Sequence, residues 1–205
     1  ENDGKCAALA EYWKGSLKGC DNAAVVVLGS GVAGGIILDG KLYRGNRFSA
    51  GEYSYICTSP DDRKNLEAYW GVQGGAQGLA KAVAKYTKKS WKEYDGVQIF
   101  QKAYEGDKAV LKGLKDFTDA LAAQIYNLNI LLDLDVVAIG GGISQQPLLF
   151  EYLEVSIKEM LESIPLRQVS PYIPEPRITN CKFYNDANLI GALYHYKKMK
   201  GEDVA

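Results

Sequence analysis

A chain of 205 residues, 47% of them hydrophobic, can bury a sizeable core as one large domain or two small ones. Its 24 basic residues balance 25 acidic ones to a net charge of −1, so no broad positive field points to nucleic acid or to an anionic membrane. Cys6, Cys20, Cys57 and Cys181 have no paired spacing and His195 is the one histidine, which argues against an all-protein zinc site and against histidine-based general-base catalysis.

The sequence starts at Glu1 without a methionine and runs at once into a helical pattern around Ala7 to Trp13, ending near Gly15 or Gly19. It therefore reads as a piece of a longer protein. Val25 to Leu28 reads as a buried strand and Gly35 to Leu38 as a second, with the loop that includes Gly29, Ser30, Gly31 and Gly34 between them. Glycines there can take positive φ and turn successive N–H groups inward as a phosphate nest, or can serve a plain tight turn. Asp39-Gly40 is a type I′ hairpin signal leading into Lys41-Leu42-Tyr43.

A turn-rich loop from Arg44 to Gly51 precedes a strand-like run, Tyr53 to Cys57, and a polar break at Thr58 to Asp62. Helical patterns follow at Leu79 to Ala84, Val97 to Tyr104 and Asp107 to Leu132. In the last of these Val110, Leu114, Phe117, Leu121, Ile125, Leu128 and Leu132 form one apolar stripe. Val136 to Ile139 is a short buried strand that runs into Gly140-Gly141-Gly142, and Pro147 opens a helix to about Leu161. Strand, glycines and helix make either a ligand-contacting turn or a simple one. Pro165, Pro171, Pro174 and Pro176 exclude a long helix before the strand expected at Arg177 to Phe183. Asn185 or Asp186 is expected to cap a last helix, Ala187 to about Met199, and His195 on it reads as a solvated or packing residue. The basic pairs Lys88-Lys89 and Lys197-Lys198 sit at helix ends, where they suit the helix dipole better than a nucleic acid. No apolar run approaches membrane-spanning length and no signal peptide opens the sequence, so a soluble cytoplasmic protein is expected, with no membrane partner. Alternating strands and helices with an early antiparallel hairpin give an α/β architecture with a mixed sheet and flanking helices.

Several of these motifs, in their order, resemble the ROK family of sugar kinases and sugar-responsive repressors. They are Asn2-Asp3 before a helix, Gly29 to Gly45, Ala50-Gly51-Glu52, Ile139 to Ser144, and Asn188 with Gly191 and Ala192. The resemblance implies the actin-like, ribonuclease-H-like fold, with residues 1–205 as the C-terminal lobe of a two-lobe sugar kinase whose N-terminal lobe is absent. It implies Asp3 as the catalytic base, where a local reading of Asp3 offers only a helix cap. Asn2 and Glu52 become sugar contacts, Gly29, Ser30 and Gly31 a phosphate loop, and Gly140, Gly141 and Gly142 the turn against the nucleoside.

The pattern departs from the family in two places. Ser54-Tyr55 follow Glu52 where Gly-His is usual, and Thr58 to Gly75 holds no cysteine where the family carries a zinc motif. The resemblance then implies a zinc-free branch in which Glu52 and Tyr55 read the sugar, with Glu67 a further carboxylate of unassigned role. The implied activity is phosphoryl transfer from ATP, its Mg2+ carried on the nucleotide, to a hexose or hexose derivative, in a glucokinase-like enzyme, with this lobe inactive alone. The alternative is the sugar-sensing domain of a ROK repressor, told apart by what precedes Glu1. The apolar helical region permits a homodimer.

Overall fold

The computed structural model describes residues 1–168, 170 and 172–204, and the side chains of Gln168 and Asn185 are not among the described ones. Pro171 of the proline cluster, and Asn185 as a capping side chain, therefore lie outside the described residues.

Five strands form one mixed sheet in the order β3-β2-β1-β4-β5. β1 (Ala23–Leu28), β2 (Val32–Leu38) and β3 (Lys41–Tyr43) form an antiparallel meander. β4 (Val136–Gly140) joins β1 in parallel, and β5 (Ile178–Asn180) lies parallel to β4 at the edge. The Asp39-Gly40 hairpin forms as expected, with Leu38 opposite Lys41 and φ of 50° and 68° at the two turn residues. β2 begins three residues before the expected Gly35, because Val32 pairs with Leu28 and the ladder runs unbroken through Gly34.

Alternation along β1 sorts the core. Ala23 and Val25 face a layer built from α1 (Asp3–Lys14) and the last helix, whereas Ala24, Val26 and Leu28 face the larger layer. After the short α2 (Trp70–Gln73), that larger layer holds α3 (Ala76–Ala84), α4 (Gly96–Tyr104), α5 (Lys108–Leu132) and α6 (Pro147–Ser163). The apolar stripe of α5 from Val110 to Leu128 is buried there as the periodicity predicts. α7 (Ala187–Lys200) packs on α1.

Three expectations are corrected. Tyr53–Tyr55 is a turn of 3-10 helix and not a strand, because the run follows a Gly51 at φ 79° and curls onto β2, where Tyr53 is buried. The strand expected over Arg177 to Phe183 shortens to three residues, since beyond Asn180 the chain turns away under the control of Glu11. Asp186 precedes α7 without a side-chain capping bond.

Glu11 is fully buried and makes no ion pair among the described residues. Its Oε1 accepts from the backbone N–H groups of Lys182 and Phe183 at 2.8 and 3.0 Å, and its Oε2 from Ser16 N and Oγ at 2.8 and 2.9 Å. Four donors replace the water that this carboxylate loses, and they tie the end of α1 to the segment leaving β5. Glu11→Gln turns one acceptor into a donor facing donors. It is expected to cost about 2–4 kcal/mol of stability in a denaturant titration; an unchanged midpoint would deny Glu11 this role.

Candidate functional site

The hairpin loop after β1 and the turn after β4 lie side by side because β1 and β4 are parallel neighbours, Val27 opposite Gly140. Ligands in open α/β sheets gather at such carboxyl strand ends. α1 approaches the same end across β2. A Cβ on Gly35 would sit 2.7 Å from the Ala8 Cβ, so glycine there lets the helix lie close on the strand. Together these elements enclose a cleft of about 250 Å3 lined by Asp3, Gly4, Gly29, Gly140, Gly141 and Gly142, among others. Asp3 and both glycine turns, far apart in sequence, thus share one cavity.

The first turn of α1 divides the two polar side chains differently from the local expectation. Asn2 is the cap, its Oδ1 accepting from Lys5 N at 2.8 Å, while Asp3 is the first helical residue. Asp3 is exposed, and its Oδ1 accepts from Gly4 N at 2.8 Å. Oδ2 has no protein partner among the described residues, so one carboxylate oxygen is open to a ligand. The helix N-terminus favours a negative charge there.

Glu52 follows the Gly51 turn and reaches back to α1. Its Oε1 accepts from Asn2 Nδ2 at 2.5 Å and from Lys5 Nζ at 2.6 Å. Asn2 and Glu52 are therefore joined at the start of α1, next in sequence to Asp3, although Asp3 alone of the three lines the cleft. Tyr55 is 78% exposed on the 3-10 turn and does not line the cleft. Glu67 pairs with Lys81 at 2.5 Å in a separate groove.

The glycine loop is not the nest that positive φ would make. Among Gly29, Ser30 and Gly31 no φ is positive, and the Gly29 N–H already donates to Gly31 O at 3.0 Å. Glycine is needed at 31 because the loop is packed from outside there, where a Cβ would meet Gly71 O at 2.8 Å, whereas a Cβ on Gly29 would have room. Ser30 at its tip is exposed. Gly141 does take positive φ, 94°, and a Cβ there would lie 2.2 Å from Leu28 O. Beyond Gly142 a second hollow of about 270 Å3 is lined by Leu28, Val97, Phe100 and Ile143, a surface suited to a flat apolar group.

Cys181 also lines the cleft, but burial first, and the charge of Glu11 second, push its thiol far up. It stays protonated and is no nucleophile. Lys5 and Glu11 are the residues that sequence reasoning passed over. A lysine and a glutamate on the otherwise small, apolar face of α1 were the available signal. Among the described residues no group of three metal-ligating side chains is present, and no helix is long and apolar enough to cross a membrane.

Known proteins with this arrangement are numerous. A beta-glucoside kinase of Listeria monocytogenes is 32% identical over 198 residues, 96% of this chain and 63% of that protein. An N-acetyl-D-glucosamine kinase of Vibrio atlanticus is 29% identical over 180 residues, 80% of this chain and 58% of its own length. The crystal structure of a ROK family protein from Streptococcus pneumoniae in complex with sucrose superposes with a TM-score of 0.85 at 27% identity, over 98% of this chain and 66% of that one. The chain thus spans somewhat under two thirds of the length of these relatives, in the actin-like ATPase fold they share. The ROK family pattern itself matches residues 1–199, and the chain belongs to the ROK family.

Proposed function

We propose that residues 1–205 are the C-terminal lobe of a cytoplasmic, ATP-dependent hexose kinase, glucokinase-like in transferring the γ-phosphoryl group of Mg-ATP to a sugar hydroxyl. The observation that carries this reading is the single cleft shared by Asp3, Gly29 and the Gly140–Gly142 turn. Phosphoryl transfer asks for a positioned alcohol, an acceptor for its proton, and a cradle for the nucleotide's anionic tail. Asp3, with one oxygen open, is the acceptor. The nucleotide tail lies along the loop of Gly29, Ser30 and Gly31, and the nucleoside against Gly140, Gly141 and Gly142, with its base over the apolar hollow beyond. Mg2+ arrives with the nucleotide. Names borne by relatives, beta-glucoside kinase and N-acetyl-D-glucosamine kinase, agree with a sugar as acceptor.

Asn2 and Glu52 hold the sugar, Asn2 through its remaining N–H and Glu52 through Oε2. Tyr55 joins them only if closure of the site brings it inward. Glu52→Gln is expected to weaken sugar binding by about 10–100-fold by calorimetry, since a hydrogen bond to a charged acceptor contributes roughly 1.5–3 kcal/mol; wild-type affinity in the variant would remove Glu52 from the sugar site.

The activity is tested on the protein at the full length of its relatives, by ATP consumption against a panel of hexoses, N-acetylated amino sugars and β-glucosides. Sugar-dependent consumption with at least one of them is expected. Tight sugar binding without any consumption would favour the repressor-type sensor instead.

A further inference from the structure

Lys5 stands in the first turn and a half of α1 with its side chain only 3% exposed, an unusual place for an ammonium without full pairing. It makes one hydrogen bond among the described residues, to Glu52 Oε1 at 2.6 Å, so two of its three N–H groups have no protein acceptor. Glu52 is equally lopsided: Oε1 serves both Lys5 and Asn2, while Oε2 has no protein partner among the described residues. A strut tying α1 to the Gly51-Glu52 turn accounts for one N–H and one oxygen. It leaves the other N–H groups and the other oxygen without a protein partner among the described residues, next to Asn2.

We propose that Lys5 sets the charge preference of the sugar site. Paired with Lys5, Glu52 offers an acceptor oxygen without offering net negative charge, so the site takes an uncharged polyhydroxyl ring, N-acetylated sugars included, and rejects a sugar bearing a free ammonium. This rests on Glu52 as a sugar contact. At 2.6 Å and with little water around the ammonium, the two charges cancel nearly completely for a ligand in the site. An incoming ammonium then finds no net negative charge to offset the water it loses, whereas a neutral hydroxyl can donate to Glu52 Oε2. Lys5 acts through Glu52 and is a positioning residue.

The test is calorimetric binding of glucose, N-acetylglucosamine and glucosamine at about pH 6.5, where an amine of this kind is protonated. It uses the protein at the full length of its relatives, as wild type, Lys5→Met, Lys5→Arg and Glu52→Gln. Wild type is expected to bind at least one neutral sugar about tenfold or more tighter than glucosamine. Lys5→Met should shrink that ratio about tenfold, because the carboxylate then faces the ligand uncompensated, and Lys5→Arg should restore it. Glu52→Gln should move the ratio the other way, leaving a buried cation alone. A merely structural lysine would weaken all three sugars alike, so equal ratios in wild type and Lys5→Met overturn the proposal. Should Lys5→Met fail to fold, an unchanged ratio in Glu52→Gln overturns it instead. If no hexose binds to wild type, the sugar site itself falls and the proposal with it; if the ratios come out as expected without phosphoryl transfer, only the kinase reading falls.

Discussion

Asp3→Asn is expected to lower turnover by about 10²–10⁴-fold while the sugar still binds within a few-fold of wild type, as befits loss of a general base. Asparagine keeps the shape and can still accept from Gly4 N through its carbonyl oxygen, so α1 and its Asn2 cap should be undisturbed. What vanishes is the open carboxylate oxygen that takes the alcohol's proton. The steady-state signature is a fall in kcat with little change in the sugar's KM. Unchanged turnover would strip Asp3 of the base role, and a collapse of sugar binding with intact turnover on saturation would make it a binding residue only.

Gly141→Ala is expected to damage both fold and nucleotide binding. The residue holds φ 94° and ψ 171°, a region essentially reserved for glycine, and the added Cβ would be driven 2.2 Å from Leu28 O. The atoms it would meet are all Leu28 backbone, not a flexible side-chain tip that could swing aside. Backbone strain and overpacking together are expected to cost about 3–5 kcal/mol, read as a fall in Tm of roughly 10 °C. Any folded remainder should bind ATP analogues far more weakly, because the turn against the nucleoside has moved. A variant with wild-type Tm would mean that β1 and β4 tolerate a shift at this point. Gly142→Ala makes the comparison, since a Cβ there meets nothing within 4 Å and the fold should be untouched.

Much of the architecture is legible in the residues because burial has a period. The stripe on α5 and the apolar runs of β1 and β4 report which faces are covered, and Asp39-Gly40 reports its own turn. Tyr53 to Cys57 misleads because aromatic and branched residues suit a strand and a tightly curled turn on a core alike, and only the left-handed Gly51 before them tips the balance. The gathering of Asp3, Gly29 and Gly141 in one cleft follows from the parallel pairing of β1 with β4 across more than a hundred residues, which no local pattern reveals. Motif order supplied it. The reason for the glycine at 31 is also non-local: the neighbour that excludes a Cβ there is Gly71. Likewise Lys5 and Glu11 are charged residues whose partners, Glu52 and the 182–183 backbone, become neighbours only in the folded chain.

In the proposed reaction the open oxygen of Asp3 faces the reacting hydroxyl while the glycine turns hold the nucleotide. A crystal structure of the protein at the full length of its relatives, with a turned-over sugar and a non-hydrolysable ATP analogue, measures it directly. The expected result is an Asp3 carboxylate oxygen within about 2.6–3.2 Å of a sugar hydroxyl, that hydroxyl pointing at the terminal phosphorus, and the phosphates lying along Gly29 to Gly31. A sugar seated with its reacting hydroxyl out of reach of Asp3, or a nucleotide bound away from both glycine turns, would contradict it.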